Sequence, residues 1–166
     1  MEFGQGKLIC LILVRLDAFL TQNFEELHFI TSSLMNDGHT EYLDLFKISD
    51  TVILDSTSLQ SEVYQQHHLK YNNLVFVQNS SFEYSVERSH SISANIEGLV
   101  KFLKSTGNHR ILMMGMGEKL KVLMAYNLVN ELVILIAPIF VGNGSHPFDR
   151  SIVQNDWNLV NCKNYS

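Results

Sequence analysis

Residues 110–120, RILMMGMGEKL, combine glycines with the start of a helical pattern, a combination typical of phosphate-binding sites. An apolar run leads into Gly115, Met116 and Gly117, and Glu118 follows in the first turn of the predicted helix. Glycine at the end of a strand lets the backbone approach a phosphate, and the N–H groups at the helix start donate to it. A strand-to-helix turn that requires a positive φ explains the same glycines, so both interpretations stay open.

Composition and charge argue against several classes of protein. The chain has 166 residues, 12 lysines and arginines and a net charge of -5, which argues against a nucleic-acid-binding surface. The first apolar run, residues 8–14, is too short to span a membrane and lacks the cleavage pattern of a signal peptide. Cys10 and Cys162 have no partner nearby in the sequence, which favours free thiols in a reducing cytoplasm. We therefore predict one cytoplasmic domain spanning residues 1–166, with no membrane contact and no metal site.

The phosphate-binding pattern must be positioned by the elements around it, and the chain alternates short apolar runs with helical patterns. The predicted strands are Leu8–Val14, Thr51–Leu54, Leu74–Val77, Ile111–Met114, Glu131–Gly142 and Trp157–Cys162. The predicted helices are Thr40–Ile48, Ser58–Gln66, Ser93–Lys104 and Glu118–Asn127. Pro138 should break its strand or confine it to an edge, because proline cannot donate to a sheet ladder. Residues 78–91, rich in serine and asparagine, are predicted to be irregular.

This alternation predicts an α/β domain whose largely parallel sheet is covered on both faces. Residues 8–14 and 111–114 are apolar without alternation, as burial on both faces requires, so we expect them to be neighbouring parallel strands at the sheet centre. Ligands of such sheets bind outside the carboxyl ends of the strands, which is where residues 115–118 are predicted to lie.

Residues 110–148 resemble the C-terminal reductase domain of bacterial riboflavin-biosynthesis deaminase-reductases and their dihydrofolate-reductase-like relatives. The matching residues are Gly115-Met116, Leu128-Val129-Asn130-Glu131, Pro138, Gly142-Asn143-Gly144 and Pro147-Phe148. Upstream, LILVRLDAFLT resembles the family's first strand and turn and places Asp17 at the family's aspartate; the resemblance covers about Lys7 to Asn161. It implies a dihydrofolate-reductase-like three-layer αβα fold with a mostly parallel central sheet. It also implies hydride transfer from NADPH to a pyrimidine- or pterin-like ring.

The resemblance assigns residues to the site, most of them to three loops that hold the cofactor. The cofactor-binding residues it implies are Leu13, Asp55, Ser56, Thr57, Ser58, Ser80, Ser81, Gly115, Met116, Gly117 and Glu118. Asp55 or Ser56 serves equally well as a helix N-cap, and the two later serines as an ordinary polar loop. Asp17 is the candidate catalytic residue, and it either orients a substrate or caps a turn. Arg15 stands where the family has serine, and it either binds an anionic ligand or reaches solvent.

Four of these positions, Leu13, Asp55, Ser56 and Met116, depart from the family pattern, and each departure removes room or positive charge. Because Ser56 replaces an arginine, we expect weak discrimination of NADPH from NADH. Glu118 adds a carboxylate that repels phosphate. Two functions follow: an NADPH-dependent reductase of a small-molecule substrate, or a non-catalytic relative in which NADPH binding is weak or lost. The second would bind another small ligand or a protein partner.

The family continues past the equivalent of Tyr165 into another strand, whereas this sequence ends at Ser166. A sheet that lacks a final strand offers backbone donors and acceptors to a second chain. We therefore expect a homodimer, with residues 131–141 or the segment near the C-terminus at its interface.

Overall fold

The structure is a computed structural model, and it describes residues 6–20, 41–55, 74–78, 89–92, 95–114, 117–148 and 156–163. The strands are β1 (Lys7–Arg15), β2 (Thr51–Asp55), β3 (Leu74–Gln78), β4 (Ser89–Ile92), β5 (Arg110–Met114) and β6 (Glu131–Ala137). The helices are α1 (Glu41–Lys47), α2 (Ile96–Ser105) and α3 (Gly117–Ala125). The helix predicted at residues 58–66 lies outside the described residues.

One sheet contains these six strands in the order β4-β3-β2-β5-β1-β6, and every ladder between them is parallel. β1 lies between β5 and β6, with Leu8 paired to Ile111 and Ile9 paired to Glu131. The predicted neighbouring pair of parallel strands inside the sheet is therefore confirmed. Apolar residues of both strands are at most 6% exposed, which accounts for their lack of alternation.

The sheet separates two apolar clusters, and alternate residues of β1 point into opposite ones. Ile9, Leu11 and Leu13 belong to the first cluster, to which α1 contributes Phe46. The even-numbered apolar residues of β1 belong to the second cluster, which α2 and α3 cover. Each fully buried leucine or isoleucine contributes about 1.5–3 kcal/mol relative to an exposed one, so β1 stabilises both layers at once.

The sequence of α2 explains both its ends and its buried face. Asn95 accepts a hydrogen bond from the Glu97 amide (3.0 Å) and so caps the N-terminus. After the C-cap residue Thr106, Gly107 has a φ of 88°, a conformation that glycine adopts without steric cost. The buried residues recur once per turn, at Ile96, Leu99, Val100 and Leu103.

The last strand predicted from the sequence is wrong. Residues 156–163 form neither helix nor strand, and all eight are exposed. The apolar residues that suggested a strand include Leu159 and Val160, which are 86% and 93% exposed, and this segment pairs with none of the described strands. The apolar pattern of this segment is typical of a strand, but a strand also requires a neighbouring strand with which to form hydrogen bonds.

The ends of the sheet differ from the prediction in two smaller ways. Residues 89–91, which belong to the stretch predicted to be irregular, are part of β4 at one sheet edge, and SHSI carries little β signal because it contains a single large apolar residue. β6 ends at Ala137, so the strand stops directly before Pro138, as expected for a residue that cannot donate to the ladder.

Two glycines give substitutions of opposite sign and test the packing of the sheet against α2. A Cβ at Gly6 would lie 1.9 Å from the Asn108 carbonyl oxygen, so Gly6→Ala should lower stability by about 1–3 kcal/mol. A Cβ at Gly98, in the exposed face of α2, meets nothing within 4 Å. Gly98→Ala should therefore raise stability by about 1 kcal/mol through helix propensity. Urea unfolding of both variants checks this, and a Gly6→Ala protein as stable as wild type would contradict the close approach.

Candidate functional site

The parallel sheet brings the carboxyl ends of its strands to one edge, and the chain leaves the neighbouring strands β1 and β5 towards opposite faces. The chain that leaves β1 returns through α1, which packs on the first cluster. The chain that leaves β5 continues into α3, which packs on the second cluster. Because β1 and β5 are neighbours, their carboxyl ends form a topological switch point, the place where open α/β sheets bind ligands.

Five of the predicted site residues lie at this edge. Leu13 is near the end of β1 and Asp17 in the turn after it, Asp55 is the last residue of β2, and Gly117 and Glu118 open α3. Leu13 is only 4% exposed and packs in the first cluster, so its side chain is part of the core. The remaining predicted site residues lie outside the described residues: Ser56, Thr57, Ser58, Ser80, Ser81, Gly115 and Met116.

Gly117, the first residue of α3, is approached by a side chain that the sequence analysis did not single out. A Cβ built on Gly117 would lie 2.8 Å from Leu20 Cδ1. Gly117 does not adopt a positive φ, so turn geometry does not require glycine here, and the nearest atom is the end of a leucine side chain that can shift. Leu20 is 9% exposed and forms an isolated antiparallel bridge with Val14. A core leucine therefore packs against the first residue of the helix at which a phosphate is expected.

Residues 15–20 and 139–146 join the carboxyl ends of β1 and β6, and we call these two segments the clasp. Asp17 Oδ2 accepts hydrogen bonds from the amides of Val141 and Gly142, each at 2.8 Å. Its Oδ1 lies 3.4 Å from a backbone nitrogen in its own turn. The two roles predicted for Asp17 are to orient a substrate and to cap a turn. The hydrogen bonds that the structure gives to its carboxylate are those of the cap.

Backbone hydrogen bonds along the clasp hold the turn that carries Leu20. Leu16 N donates to Ile139 O at 3.1 Å, and Leu20 N donates to Ser145 O at 2.8 Å. The turn itself is closed by a hydrogen bond that the backbone nitrogen of Ala18 donates. Ala18 has a φ of 65°, which is unusual for a residue other than glycine. The contact of Leu20 with α3 is therefore built into the clasp.

Arg15 is buried inside the clasp, so the prediction that it reaches solvent is wrong. Its side chain is 2% exposed, and Nε lies 3.4 Å from Asp17 Oδ1. Nη2 donates to the Asn143 carbonyl, and the guanidinium carbon lies 5.6 Å from the centroid of the Phe19 ring. A Cβ on Gly144 would lie 2.6 Å from Nη2, so the glycine makes room for the arginine. The positive charge of Arg15 is balanced by Asp17 rather than presented to the crevice.

The first turn of α3 carries a negative charge next to the switch point. The Glu118 side chain is 84% exposed, and its Oε1 lies 2.8 Å from Lys121 Nζ. A carboxylate at this position stabilises the helix through the dipole. The same charge opposes a phosphate at the helix N-terminus, although the neighbouring lysine offsets part of it.

Hydrogen bonding lowers the pKa of Asp17 from its ordinary value of 3.8. The amide of Gly142 is the largest cause, and partial desolvation opposes it. The Val141 amide, the amide in its own turn and the charge of Arg15 lower the pKa further. Because the folded pKa is depressed, the carboxylate stabilises the fold above pH 3.8, and this contribution is lost as the pH falls through the folded pKa.

Replacement of Asp17 by asparagine tests the clasp. Both carboxylate oxygens face donors, so an amide must turn its NH2 towards a donor in either orientation, and it leaves Arg15 without its anion. We expect Asp17→Asn to lower stability at pH 7, and the difference from wild type to shrink below pH 3.8. Urea unfolding at pH 7 and pH 3 measures both. Asp44→Asn, which breaks an exposed pair with Lys47, is the control and should change stability little. An equal loss at both pH values would contradict the ionic role of Asp17.

Neither a metal-binding group of side chains nor a membrane-spanning helix is found in the part of the chain that the structure describes. No three His, Cys, Asp or Glu side chains there form a group able to hold a metal ion. No helix within the described ranges is long and apolar enough to cross a membrane.

Solved structures share the fold at low sequence identity. A riboflavin biosynthesis protein from Shewanella sp. PV-4 matches with a TM-score of 0.59 and 16% identity, over 87% of this chain and 84% of that one. The Thermotoga maritima diaminohydroxyphosphoribosylaminopyrimidine deaminase/5-amino-6-(5-phosphoribosylamino)uracil reductase matches with a TM-score of 0.55 and 10% identity. That match covers 90% of this chain but only 51% of the Thermotoga protein.

The similarity extends to dihydrofolate reductases. The enzyme from Enterococcus faecalis, solved with NADP(H) and RAB-propyl, matches with a TM-score of 0.53 and 12% identity, over 87% of this chain and 79% of the enzyme. The predicted dihydrofolate-reductase-like α/β fold is therefore confirmed. No curated protein matches the sequence significantly. The family model of the RibD C-terminal domain matches residues 30–166, most of the sequence. The chain therefore belongs to the RibD C-terminal domain family.

Proposed function

We propose that this chain is an NADPH-dependent reductase that acts on a pyrimidine- or pterin-like ring. The observation that carries the proposal is the N-terminus of α3, which opens at the switch point between β1 and β5 in a RibD-family sheet. The Thermotoga relative is a uracil reductase by name, and the Enterococcus relative binds NADP(H). Both support a nicotinamide cofactor and a ring of this class for this chain.

The backbone at this edge suits a dinucleotide, whereas the side chains weaken the fit. Amides in the first turn of α3 suit a phosphate, and when bound NADPH would supply the hydride. Leu20 stands against Gly117, and Glu118 contributes a negative charge. In this proposal the chain positions cofactor and substrate, which is most of what hydride transfer needs from a protein. We expect NADPH to bind, but weakly.

The second candidate function is that of a non-catalytic relative, and the clasp favours it. Arg15 and Asp17 neutralise one another, and the amides of Val141 and Gly142 already have an acceptor. The polar groups that a substrate would use at the end of β1 are thus engaged with each other. Such a protein would bind a different small ligand or a protein partner.

A cytoplasmic location is part of the proposal. Both cysteines are free thiols, Cys10 buried and Cys162 exposed, as is usual in a reducing compartment. The cytoplasm would also provide reduced nicotinamide cofactor to such an enzyme.

Removal of the leucine that covers α3 tests the proposed cofactor site. If Leu20 obstructs the phosphate, Leu20→Ala should bind NADPH roughly fivefold more tightly, because relief of a modest clash is worth about 1 kcal/mol. The cost is stability, which should fall by about 2–3 kcal/mol for a buried leucine. Isothermal titration with NADPH, on protein shown to be folded by circular dichroism, measures the affinity.

Leu16→Ala is the matched control, since Leu16 belongs to the same turn but is 53% exposed. Its affinity for NADPH should equal that of wild type. If neither wild type nor a folded Leu20→Ala protein binds NADPH at millimolar concentration, the reductase function is contradicted and the non-catalytic one is favoured.

Charge at the helix start provides a second test of the same site. Glu118→Gln should raise NADPH affinity roughly two- to fivefold at low salt, because it removes an exposed, screened negative charge near the phosphate. Glu97→Gln is the control: Glu97 also lies in a first turn, that of α2, and also pairs with a lysine, Lys101. An equal gain in both variants would indicate a general charge effect and not a site at α3.

A further inference from the structure

Asn143 and Gly144 are the one Asn-Gly pair in the sequence, and neither proposed function uses their chemistry. In such a pair the backbone nitrogen of the glycine can attack the side-chain amide carbon of the asparagine and close a succinimide ring. Glycine favours this attack because it has no Cβ to shield its nitrogen. The structure places the pair in the clasp, with Asn143 exposed to solvent. The pair is therefore a candidate site of self-modification.

The backbone nitrogen of Gly144 is available for this reaction. The amides of Val141 and Gly142 donate to Asp17, which fixes the segment directly before the pair. Among the residues that the structure describes, none accepts a hydrogen bond from the Gly144 N–H. Gly144 has a φ of 139°, which residues with a side chain rarely adopt. The clasp thus holds the neighbouring backbone in place and leaves this N–H unengaged by the described residues.

A charged donor lies on the carbonyl oxygen of the same peptide unit. Arg15 Nη2 donates to the Asn143 carbonyl, and the Arg15 side chain is 2% exposed. When the Gly144 N–H loses its proton, the negative charge of the peptide unit is shared with this oxygen, so the guanidinium stabilises the anion. The arrangement is that of an oxyanion hole, in which a preorganised donor meets a developing charge. Asp17 offsets part of the positive charge, but it lies against Nε rather than Nη2.

We propose that Asn143 is a self-modification site, at which Arg15 promotes attack of the Gly144 nitrogen on the Asn143 side chain. Water or hydroxide removes the Gly144 N–H proton, the nitrogen forms a bond to Asn143 Cγ, and the bond from Cγ to Nδ2 breaks. The nitrogen that leaves takes up the proton and departs as ammonia, and a succinimide remains. No electrons are transferred, and water is the only co-reactant. The proposal does not depend on the proposed reductase function.

The same hydrogen bond selects the product. Water opens the succinimide at Cγ to give aspartate, or at the former backbone carbonyl to give isoaspartate. Arg15 polarises the backbone carbonyl, so isoaspartate is favoured, and that carbonyl becomes a carboxylate that pairs with the guanidinium. The main chain of isoaspartate runs through Cβ and Cγ and is therefore longer. Because the clasp gains both length and negative charge, the hydrogen bond from Leu20 N to Ser145 O must shift.

Incubation of the full chain in its folded and unfolded states tests the role of the fold. Peptide mapping by mass spectrometry locates the replacement of NH2 by OH at Asn143, and chromatography separates the aspartate and isoaspartate peptides. Folded wild type at neutral pH should react roughly tenfold faster than wild type in concentrated urea, because only the fold places Arg15 on the carbonyl. Isoaspartate should also be a larger share of the product in the folded chain. A folded chain that reacts no faster than the unfolded one would overturn the proposal.

Replacement of Arg15 tests the donor itself. Arg15→Gln should slow the reaction of the folded chain roughly tenfold or more and leave the rate in urea unchanged. Arg110→Gln is the control, because it removes an exposed arginine at the amino end of β5, and both of its rates should equal those of wild type. A folded Arg15→Gln protein that reacts as fast as wild type would contradict the proposal. If Arg15→Gln does not fold, the comparison of folded with unfolded wild type still decides the outcome.

Discussion

β1 must satisfy hydrogen bonds along both edges and apolar packing on both faces, and this constraint organises the rest of the molecule. Its ladders run to β5 on one side and to β6 on the other, and its side chains enter both apolar clusters. A strand buried in this way has no room for polar chemistry along its length. Polar residues are therefore concentrated where the strand begins and ends.

The two ends of β1 meet this constraint in different ways. At the amino end, the Asn130 side-chain oxygen accepts a hydrogen bond from the Leu8 amide, and the Asn130 backbone amide donates one to the Leu8 carbonyl. These two bonds connect β1 to the residue that directly precedes β6. Lys104 also donates to the Asn130 side chain at 2.7 Å, and so links α2 to the same point. At the carboxyl end, Asp17 binds the segment that follows β6. Both ends of the ladder between β1 and β6 are thus closed by a side chain that binds backbone groups.

Much of the fold could be predicted from the sequence because its signals are local. Three features illustrate this: the continuous apolar run of β1, the one-turn spacing of apolar residues in α2, and the end of β6 directly before Pro138. Each depends only on the immediate surroundings of the residues concerned. β4 escaped prediction because an edge strand with an exposed His90 carries little apolar pattern. The strand predicted at residues 156–163 is wrong because the apolar pattern of a segment does not show whether a neighbouring strand is available to pair with it.

The position of the candidate site could be predicted from the sequence, but the side chains that lie in it could not. The glycines at 115 and 117 marked the edge of the sheet, and the family motif marked Asp17. Leu20 was missed because its position over Gly117 depends on the clasp, whose two segments are far apart in the chain. Its only sequence signal is an apolar residue that ends the polar turn after β1, and such residues are common. The burial of Arg15 was missed for the same reason, since Asn143 and Gly144 lie on the other segment.

The order of strands in the sheet also determines how the chain must fold. Lys7 pairs with Arg110, and Ile9 with Glu131, so the first described strand is completed only after the last described strand has been synthesised. Until β5 has been synthesised the segment LICLILV has no ladder on either edge, and until β6 has been synthesised it has a ladder on only one, so its apolar side chains remain available to chaperones or to other nascent chains. Closing such long loops is slow compared with helix formation. We therefore expect the two ladders of β1 to form late in folding, and a substitution in β1 that delays them to lengthen the time for which the chain is exposed to aggregation, even where the finished structure is unchanged.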